Sequence, residues 1–158
     1  QTLCGLAHYD YRMPRAYSYE QAFNIMRALR LPYSQAQEMF RRIVFNVVVR
    51  NQDDHTKNIS FLMDKNGKWQ LSPAYDIGYA YNPQGGWTAQ HQMSINGKFD
   101  EITRYDLLEL ARRNNIKEAS EIIDMITDTA ARWPIIAREC EVPQSMIDAI
   151  LPNMVLSL

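Results

Sequence analysis

Residues 43–58 read Ile-Val-Phe-Asn-Val-Val-Val-Arg-Asn-Gln-Asp-Asp-His-Thr-Lys-Asn, an apolar run that passes directly into a polar one. The first part is apolar nearly all round, which is typical of a helix that runs through a hydrophobic core. The second part carries acids, amides, a histidine and a lysine. Because a buried helix fixes the position of the loop that follows it, this arrangement favours a functional site at the helix end.

Three oxygen-bearing side chains, Asp53, Asn58 and Asp76, have a spacing that suits phosphoryl transfer. A loop of this length lets Asp53 and Asn58 turn toward one point, since an extended chain spans roughly 3.3–3.6 Å per residue. Asp76 lies in a later stretch, Ser72-Pro73-Ala74-Tyr75-Asp76-Ile77. A carboxylate near the acceptor hydroxyl, with an amide and a second carboxylate for Mg²⁺, is the set that such chemistry uses. Single Asp and Asn residues also favour turns and caps, so the grouping matters more than any member.

Capping signals and apolar spacing predict that the chain is mainly helical. One predicted helix begins at Ser18–Gln21 and ends by Pro32, and a second begins at Ser34–Gln37 and ends near Val49. Further helices are predicted to begin at Thr103–Asp106, at about Lys117 and at Pro143, and Pro134 is predicted to kink or restart the helix that precedes it. The 158 residues suit a single domain spanning 1–158.

A small β-hairpin is predicted between the polar loop and Asp76. Ile59–Met63 and Lys68–Leu71 flank Asp64-Lys65-Asn66-Gly67, and Asn-Gly is a strong hairpin signal. Residues 72–92 then form a long irregular segment, of the kind that is usually functional or mobile. Residues 93–98 predict a second small turn.

The formal net charge of -1 argues against broad binding to nucleic acid or to an anionic membrane. Two local pairs, Arg41-Arg42 and Arg112-Arg113, lie in helical patterns among acids, so we expect solvated faces or intramolecular partners.

Cys4 and Cys140 are far apart in the sequence and predict neither a disulfide framework nor a metal knuckle. No apolar run approaches the ~20 residues of a membrane span, and no signal peptide opens the chain. These features predict a cytoplasmic location. The sequence begins with Gln1 in mid-pattern, so we expect a piece of a longer protein.

The motif Asn-x-Asp-Asp-His-x-Lys-Asn-x-Ser from Asn51 to Ser60, with the stretch from Ser72 to Ile77, closely resembles the C-terminal lobe of the HipA family of bacterial toxin kinases. The resemblance implies a protein-kinase-like C-lobe that transfers phosphate from ATP, with Mg²⁺, to a protein Ser or Thr hydroxyl. It also implies a DNA-binding antitoxin partner of the HipB type.

By position in this resemblance, Asp53 matches the catalytic aspartate and Asn58 the metal-binding asparagine. Asp76 matches the metal-binding acid of the kinase Asp-Phe-Gly element, although Tyr75-Asp76-Ile77 stands in its place.

Three further residues lie inside the motif. Lys57 either neutralises the γ-phosphate as a catalytic residue or is an ordinary exposed lysine. His55, at the nucleotide-binding loop, either braces that loop by hydrogen bonds or acts as an acid or base. Asp54 is expected to cap or to be solvated, without a catalytic role.

The chain departs from a complete kinase because no Gly-rich loop precedes residue 51 and its first lysine is Lys57. We therefore expect a C-lobe fragment that lacks the N-lobe and is inactive alone. Two alternatives remain open: a small-molecule or lipid kinase, for which Gly78–His91 would form a pocket for a small polar acceptor, and a non-catalytic interaction module. The aromatic stretches His8–Tyr11 and Trp87–His91 either line a substrate groove or are ordinary loop residues.

Overall fold

Seven α-helices and two two-stranded sheets make up the fold, in a computed structural model that describes residues 1–158. In chain order the elements are α1 Leu3–Ala7, β1 Tyr17–Ser18, α2 Tyr19–Ala28, α3 Tyr33–Val48, β2 Phe61–Met63, β3 Trp69–Leu71, β4 Met93–Ser94, α4 Arg104–Arg113, α5 Ala119–Ala131, α6 Trp133–Glu139 and α7 Gln144–Ile150. The prediction of a mainly helical chain is confirmed. None of the helices has the length and apolar character needed to cross a membrane.

The central element is α3, which packs against α2 and α5. Its buried apolar side chains belong to a core cluster of 26 residues and are Met39, Phe40, Ile43, Val44, Val47 and Val48. Full burial of one such side chain contributes roughly 1.5–3 kcal/mol, so this helix is held firmly in place. The prediction that it runs through the core is confirmed.

The helix starts were predicted with mixed success. The capping box of α2 is present, with the Ser18 N–H donating to Gln21 Oε1 over 2.8 Å and the Gln21 N–H donating to Ser18 Oγ over 3.2 Å. The predicted cap at Ser34 is wrong, because α3 already begins at Tyr33 after an extended Pro32 and has no side-chain cap. Proline can start a helix by its restricted φ, without a side-chain acceptor.

Two other prolines mark helix boundaries near the C-terminal end. Pro134 lies in the first turn of α6, which confirms the predicted restart after α5. Pro143 precedes α7 as its N-cap residue rather than lying inside the first turn.

The predicted hairpin is present, with β2 and β3 paired antiparallel but shorter than expected. Asp64 closes the turn, since its Oδ1 accepts the N–H groups of Asn66 and Lys68 over 2.8 and 2.9 Å. Gly67 takes the left-handed conformation with φ 79°, which costs glycine nothing. The hairpin reverses the chain between the polar loop and Asp76.

The other sheet joins distant segments and was not predicted. β1 and β4 pair in parallel, so that Tyr17 lies opposite Met93 at the start of α2. The predicted turn after β4 is present, where Asn96 and Gly97 both have positive φ and Ile95 bridges to Lys98. The irregular segment before β4 is thereby tied to α2.

Both arginine pairs have intramolecular partners, as expected. Arg42 Nε lies 2.9 Å from a Glu38 oxygen on α3. Arg112 and Arg113 lie 2.8 and 2.7 Å from the Glu109 carboxylate on α4. The hydrogen bonds from these two arginines, Arg112 first, lower the pKa of Glu109 to about 2.

Asp106 caps α4 with a buried carboxylate that is only 1% exposed. It accepts the N–H and Oγ1–H of Thr103 over 2.9 and 2.7 Å, Lys98 Nζ over 2.8 Å and Asn96 Nδ2 over 3.0 Å. Burial raises the pKa of this carboxyl, but the hydrogen bonds from Lys98, Asn96 and Thr103 outweigh it, so the pKa lies well below its ordinary value.

Asp106→Asn is expected to reduce the free energy of unfolding by about 2 kcal/mol at pH 7, because charge-assisted bonds are lost. The folded-state pKa is below the unfolded value of about 3.9, so this stabilisation is present above that pH and is lost as the pH falls toward the folded value. Urea unfolding at pH 7 and pH 3 should therefore show a difference between wild type and variant that shrinks at pH 3.

The matched control is Asp128→Asn, which changes an exposed carboxylate on α5. Its unfolding free energy should stay within about 0.5 kcal/mol of wild type at both pH values. If the difference in unfolding free energy between wild type and Asp106→Asn were the same at both pH values, the lowered pKa of Asp106 would be contradicted.

Candidate active site

The polar loop after α3 is fixed by backbone bonds at its first residues. Arg50 has a left-handed φ of 56°, which ends the helix and turns the chain. Asn51 returns to the helix through its N–H to Asn46 O and its Nδ2 to Asn46 Oδ1, both 2.9 Å. Ala80 bridges the other side, donating to Arg50 O and accepting the Gln52 N–H, both over 3.0 Å.

Asp53 and Asp54 are neighbours with opposite environments: the Asp53 side chain is 41% exposed and the Asp54 side chain 1%. The Asp54 carboxylate accepts the Tyr19 hydroxyl and the Gln92 N–H, each over 2.7 Å, and His91 Nδ1 lies 2.8 Å away. The expectation of a solvated Asp54 is therefore wrong. A buried carboxylate requires such donors, since an unpaired charge in the interior costs far more than any of these bonds contributes.

Tyr19 extends this buried network to two helices. Its hydroxyl donates to Asp54 and accepts Asn46 Nδ2 over 3.0 Å, so it joins α2 to α3 and to the loop. Burial first, and the Asp54 carboxylate second, raise the pKa of Tyr19 well above its ordinary value. The hydroxyl therefore keeps its proton and remains a donor to Asp54.

A small cleft brings together three of the five predicted site residues, His55, Asn58 and Asp76, which all contribute to its lining. Asn58 Nδ2 donates to the Asp53 carbonyl over 2.9 Å, so its Oδ1 is the atom left for a ligand. The cleft has about 20 Å³ accessible to water. A volume of roughly 10–15 Å³ on this measure holds one water, so an ion or a water fits and a nucleotide does not.

Asp76 is held next to Asn58 by contacts of its own segment. Its φ of 53° is left-handed, a conformation that Asp tolerates better than most residues. Its carbonyl accepts Asn51 Nδ2 over 3.4 Å. The neighbouring Tyr75 hydroxyl contacts the Lys57 carbonyl and the Ser60 hydroxyl, so the segment is attached on both sides of Asn58.

The other two predicted residues, Asp53 and Lys57, do not line this cleft. Asp53 Oδ1 accepts the Trp87 indole N–H over 2.8 Å. His55 Nε2 lies 3.9 Å from the same oxygen, which is too long for a hydrogen bond, and His55 Nδ1 is buried without a partner. The loop is braced instead by the backbone of His55, whose N–H donates to Asp53 O and whose carbonyl accepts the Asn58 N–H, each over 2.9 Å. Lys57 Nζ lies 4.2 Å from the ring centre of Tyr11.

Sequence reasoning assigned no supporting role to Asn46, Asn51, Tyr75 or Trp87, although the last three lie in stretches that it singled out. Asn46 gave one signal, because an amide inside an otherwise apolar buried helix must find partners. The contact between Trp87 and Asp53 had no local signal.

The protein supplies only some of the ligands that Mg²⁺ would need at the cleft. Asn58 Oδ1 and the Asp76 carboxylate are hard oxygen ligands of the type this ion prefers. The chain has no group of three or more His, Cys, Asp or Glu side chains that could hold a metal by themselves. Such a site suits an ion that takes its remaining ligands from water and substrate phosphates.

The family model that describes the HipA-like C-terminal domain matches residues 1–133. The chain belongs to that family. The serine/threonine-protein kinase toxin HipA of Shewanella oneidensis is 30% identical over 88 residues, which are 56% of this chain and 20% of that protein. A protein of Haemophilus influenzae that is provisionally named a kinase is 40% identical over 61 residues, 38% of this chain and 18% of its own length.

A solved structure has the same fold as this HipA-like domain. It is the Shewanella oneidensis MR-1 toxin–antitoxin complex of HipA, HipB and operator DNA, and the match has a TM-score of 0.66 at 23% identity. The match covers 93% of this chain and 36% of that chain. The domain thus spans about a fifth of the two curated relatives and about a third of the solved chain.

The two adjacent aspartates allow a matched stability test. Asp54→Ala should lower the free energy of unfolding by about 3 kcal/mol, because it leaves buried donors without an acceptor. Asp53→Ala should lower it by about 1 kcal/mol or less, since this side chain is partly exposed. Urea unfolding measures the free energy of unfolding of both variants. Equal losses would contradict the assignment of Asp54 as buried and Asp53 as exposed.

Proposed function

We propose that this HipA-like domain is the catalytic lobe of a serine/threonine protein kinase, which transfers the γ-phosphoryl group of ATP to a protein hydroxyl. The observation that carries the proposal is the common cleft of Asn58 and Asp76, next to a loop that presents Asp53 outward. Family membership and the kinase names of its relatives support it.

In this proposal Asp53 is the catalytic residue that accepts the proton of the acceptor hydroxyl. The hydroxyl oxygen attacks the γ-phosphorus of ATP, the bond from that phosphorus to the bridging oxygen breaks, and ADP leaves. The exposed side chain of Asp53 can reach a docked substrate, in contrast to the buried Asp54. Asn58 Oδ1 and the Asp76 carboxylate would hold Mg²⁺. When bound, that ion would neutralise negative charge on the phosphates.

The roles of Lys57 and His55 stay predictions within this scheme. Lys57 is exposed and rests on the Tyr11 ring, an interaction worth roughly 0.5–1 kcal/mol at such sites. A phosphate could readily draw the ammonium off the ring, because an exposed cation–π contact is weaker than a charge-assisted bond to phosphate. His55 lines the cleft beside the two candidate metal ligands, and we propose that it contacts the phosphate end of a nucleotide bound outside the cleft.

We further propose that the domain works joined to a nucleotide-binding lobe. A cleft with about 20 Å³ accessible to water has no room for a base and ribose. The domain covers only 36% of the solved HipA chain, which leaves ample length for another lobe.

A HipB-type antitoxin is the partner that the solved complex of HipA with HipB suggests. We also propose a cytoplasmic location, where ATP is available.

The rival of a small-molecule or lipid kinase receives less support. The segment Gly78–His91 contributes its first two residues to an apolar cavity of about 450 Å³ and His91 to a polar one of about 90 Å³. Neither lining includes Asp53, Asn58 or Asp76. A non-catalytic module is also disfavoured, since both candidate metal ligands are present together with the exposed Asp53.

Asp53→Ala and Asp76→Ala in the native protein, with any sequence that adjoins this chain, should each lower Mg²⁺-dependent phosphorylation. Loss of a general base typically costs 10²–10⁴-fold, so we expect about that range for Asp53→Ala. Asp76→Ala should also lower the rate, because it removes a proposed Mg²⁺ ligand. Transfer of ³²P from ATP to protein hydroxyls is the measurement. Asp128→Ala, on the exposed face of α5, is the control and should keep wild-type activity; wild-type rates in both site variants would refute the assigned roles.

The 158-residue domain alone should show negligible affinity for ATP, because it supplies the metal side of the site without a base and ribose pocket. Isothermal titration calorimetry with Mg-ATP tests this. A clear binding signal at micromolar ATP would show that the domain carries a complete nucleotide site.

A further inference from the structure

Residues 87–92 hold the polar loop from its buried side. Gln92 is the central contact: its N–H donates to Asp54 Oδ1 over 2.7 Å and its Nε2 donates to the Trp87 and Gln90 carbonyls over 2.5 and 3.0 Å. His91 Nδ1 meets the other Asp54 oxygen at 2.8 Å. Both Gln92 and His91 are buried, so this end of the segment is an anchor rather than a surface contact.

Gln52, the residue before Asp53, also bonds to residues 87–92. With its amide oriented so that both its donor and acceptor atoms find partners, Gln52 donates to the carbonyls of Thr88 and Ala89 over 2.9 and 3.2 Å. Its side chain is fully buried. The backbone around Trp87 is therefore fastened on both sides of Asp53, by Gln52 and by Asp54.

The exposed end of the segment contacts Asp53 itself. The indole N–H of Trp87 donates to Oδ1 over 2.8 Å, whereas Oδ2 accepts no hydrogen bond from the chain. Gly85 and Gly86 come directly before, with φ of 110° and 88°, a region open to glycine and strained for other residues. The two glycines allow the sharp turn that sets Trp87 against the carboxylate.

We propose that Trp87 is a positioning residue for the catalytic carboxylate, an inference that rests on the proposed kinase function. Its indole holds Oδ1 of Asp53 and leaves Oδ2 to receive the proton of the acceptor hydroxyl. Indole suits this task because it is a donor only and cannot itself take that proton. The bond restricts the rotation of a partly exposed side chain, and orientation of this kind contributes directly to rate.

The kinetic test is Trp87→Phe in the native protein, which removes the N–H and keeps an aromatic ring. We expect kcat to fall roughly tenfold to a hundredfold, with the KM for ATP and the unfolding midpoint unchanged. Trp69→Phe is the matched control; its indole makes no hydrogen bond, and it should leave kcat unchanged. In an Asp53→Ala background, Trp87→Phe should cause no further loss, because its partner is gone.

Three kinetic outcomes would overturn the proposal. A rise in kcat would make Trp87 a cover that blocks Asp53. An equal loss in the Asp53→Ala background would make its role purely structural. An unchanged kcat would leave the contact without a catalytic effect.

A spectroscopic arm separates this proposal from the proposed function. Indole ¹⁵N spectra of the native protein report each tryptophan N–H directly; Trp87→Phe assigns the Trp87 signal and Trp69→Phe the Trp69 signal. Asp53→Ala should shift the Trp87 indole resonance and leave that of Trp69 in place. If wild type lacked Mg²⁺-dependent transfer while this shift occurred, the kinase function would fail and the contact would stand. Absence of the shift would overturn the contact.

Discussion

The carboxylate of Asp54 lies where α2, the loop after α3 and residues 87–92 meet, and it is the acceptor that these three parts share. Tyr19, His91 and Gln92 surround it, and it is almost wholly withdrawn from water. A charge in that position is tolerated only when its donors are in place, so the three parts must assemble together. The buried network is thus a constraint on geometry more than a source of stability.

One consequence of this constraint is the direction of the neighbouring Asp53. Because Asp54 points inward and is fixed, the residue before it is turned outward with about two fifths of its side chain exposed. The same loop returns Asn58 to a cleft shared with Asp76, and the hairpin of β2 and β3 makes that return possible. A rigid buried helix, a pinned loop and a short hairpin together place the polar groups without any metal cluster formed by the protein itself.

Much of the fold could be predicted because its signals are local. The capping boxes at Ser18 and Thr103, the Asn-Gly turn and the largely apolar run of α3 each depend on residues within a few positions of one another. Where the prediction was wrong, the reason was also local: Ser34 has the chemistry of a cap, but Pro32 had already started the helix. The parallel pairing of β1 with β4 had no such signal, since parallel partners are distant in the chain.

For the candidate site, the residue types and their order could be read from the sequence. The loop motif and the later Tyr-Asp-Ile element contain the carboxylate and amide groups that bind hard cations and orient an acceptor hydroxyl. Which aspartate faces inward, and which later residues touch each one, depended on folding. Adjacent acids are equivalent in a linear motif, and only the packing of α2 and of residues 87–92 against the loop distinguishes them. Burial, and contacts between residues more than thirty positions apart, such as Trp87 with Asp53 and Tyr19 with Asp54, exist only once the core has formed.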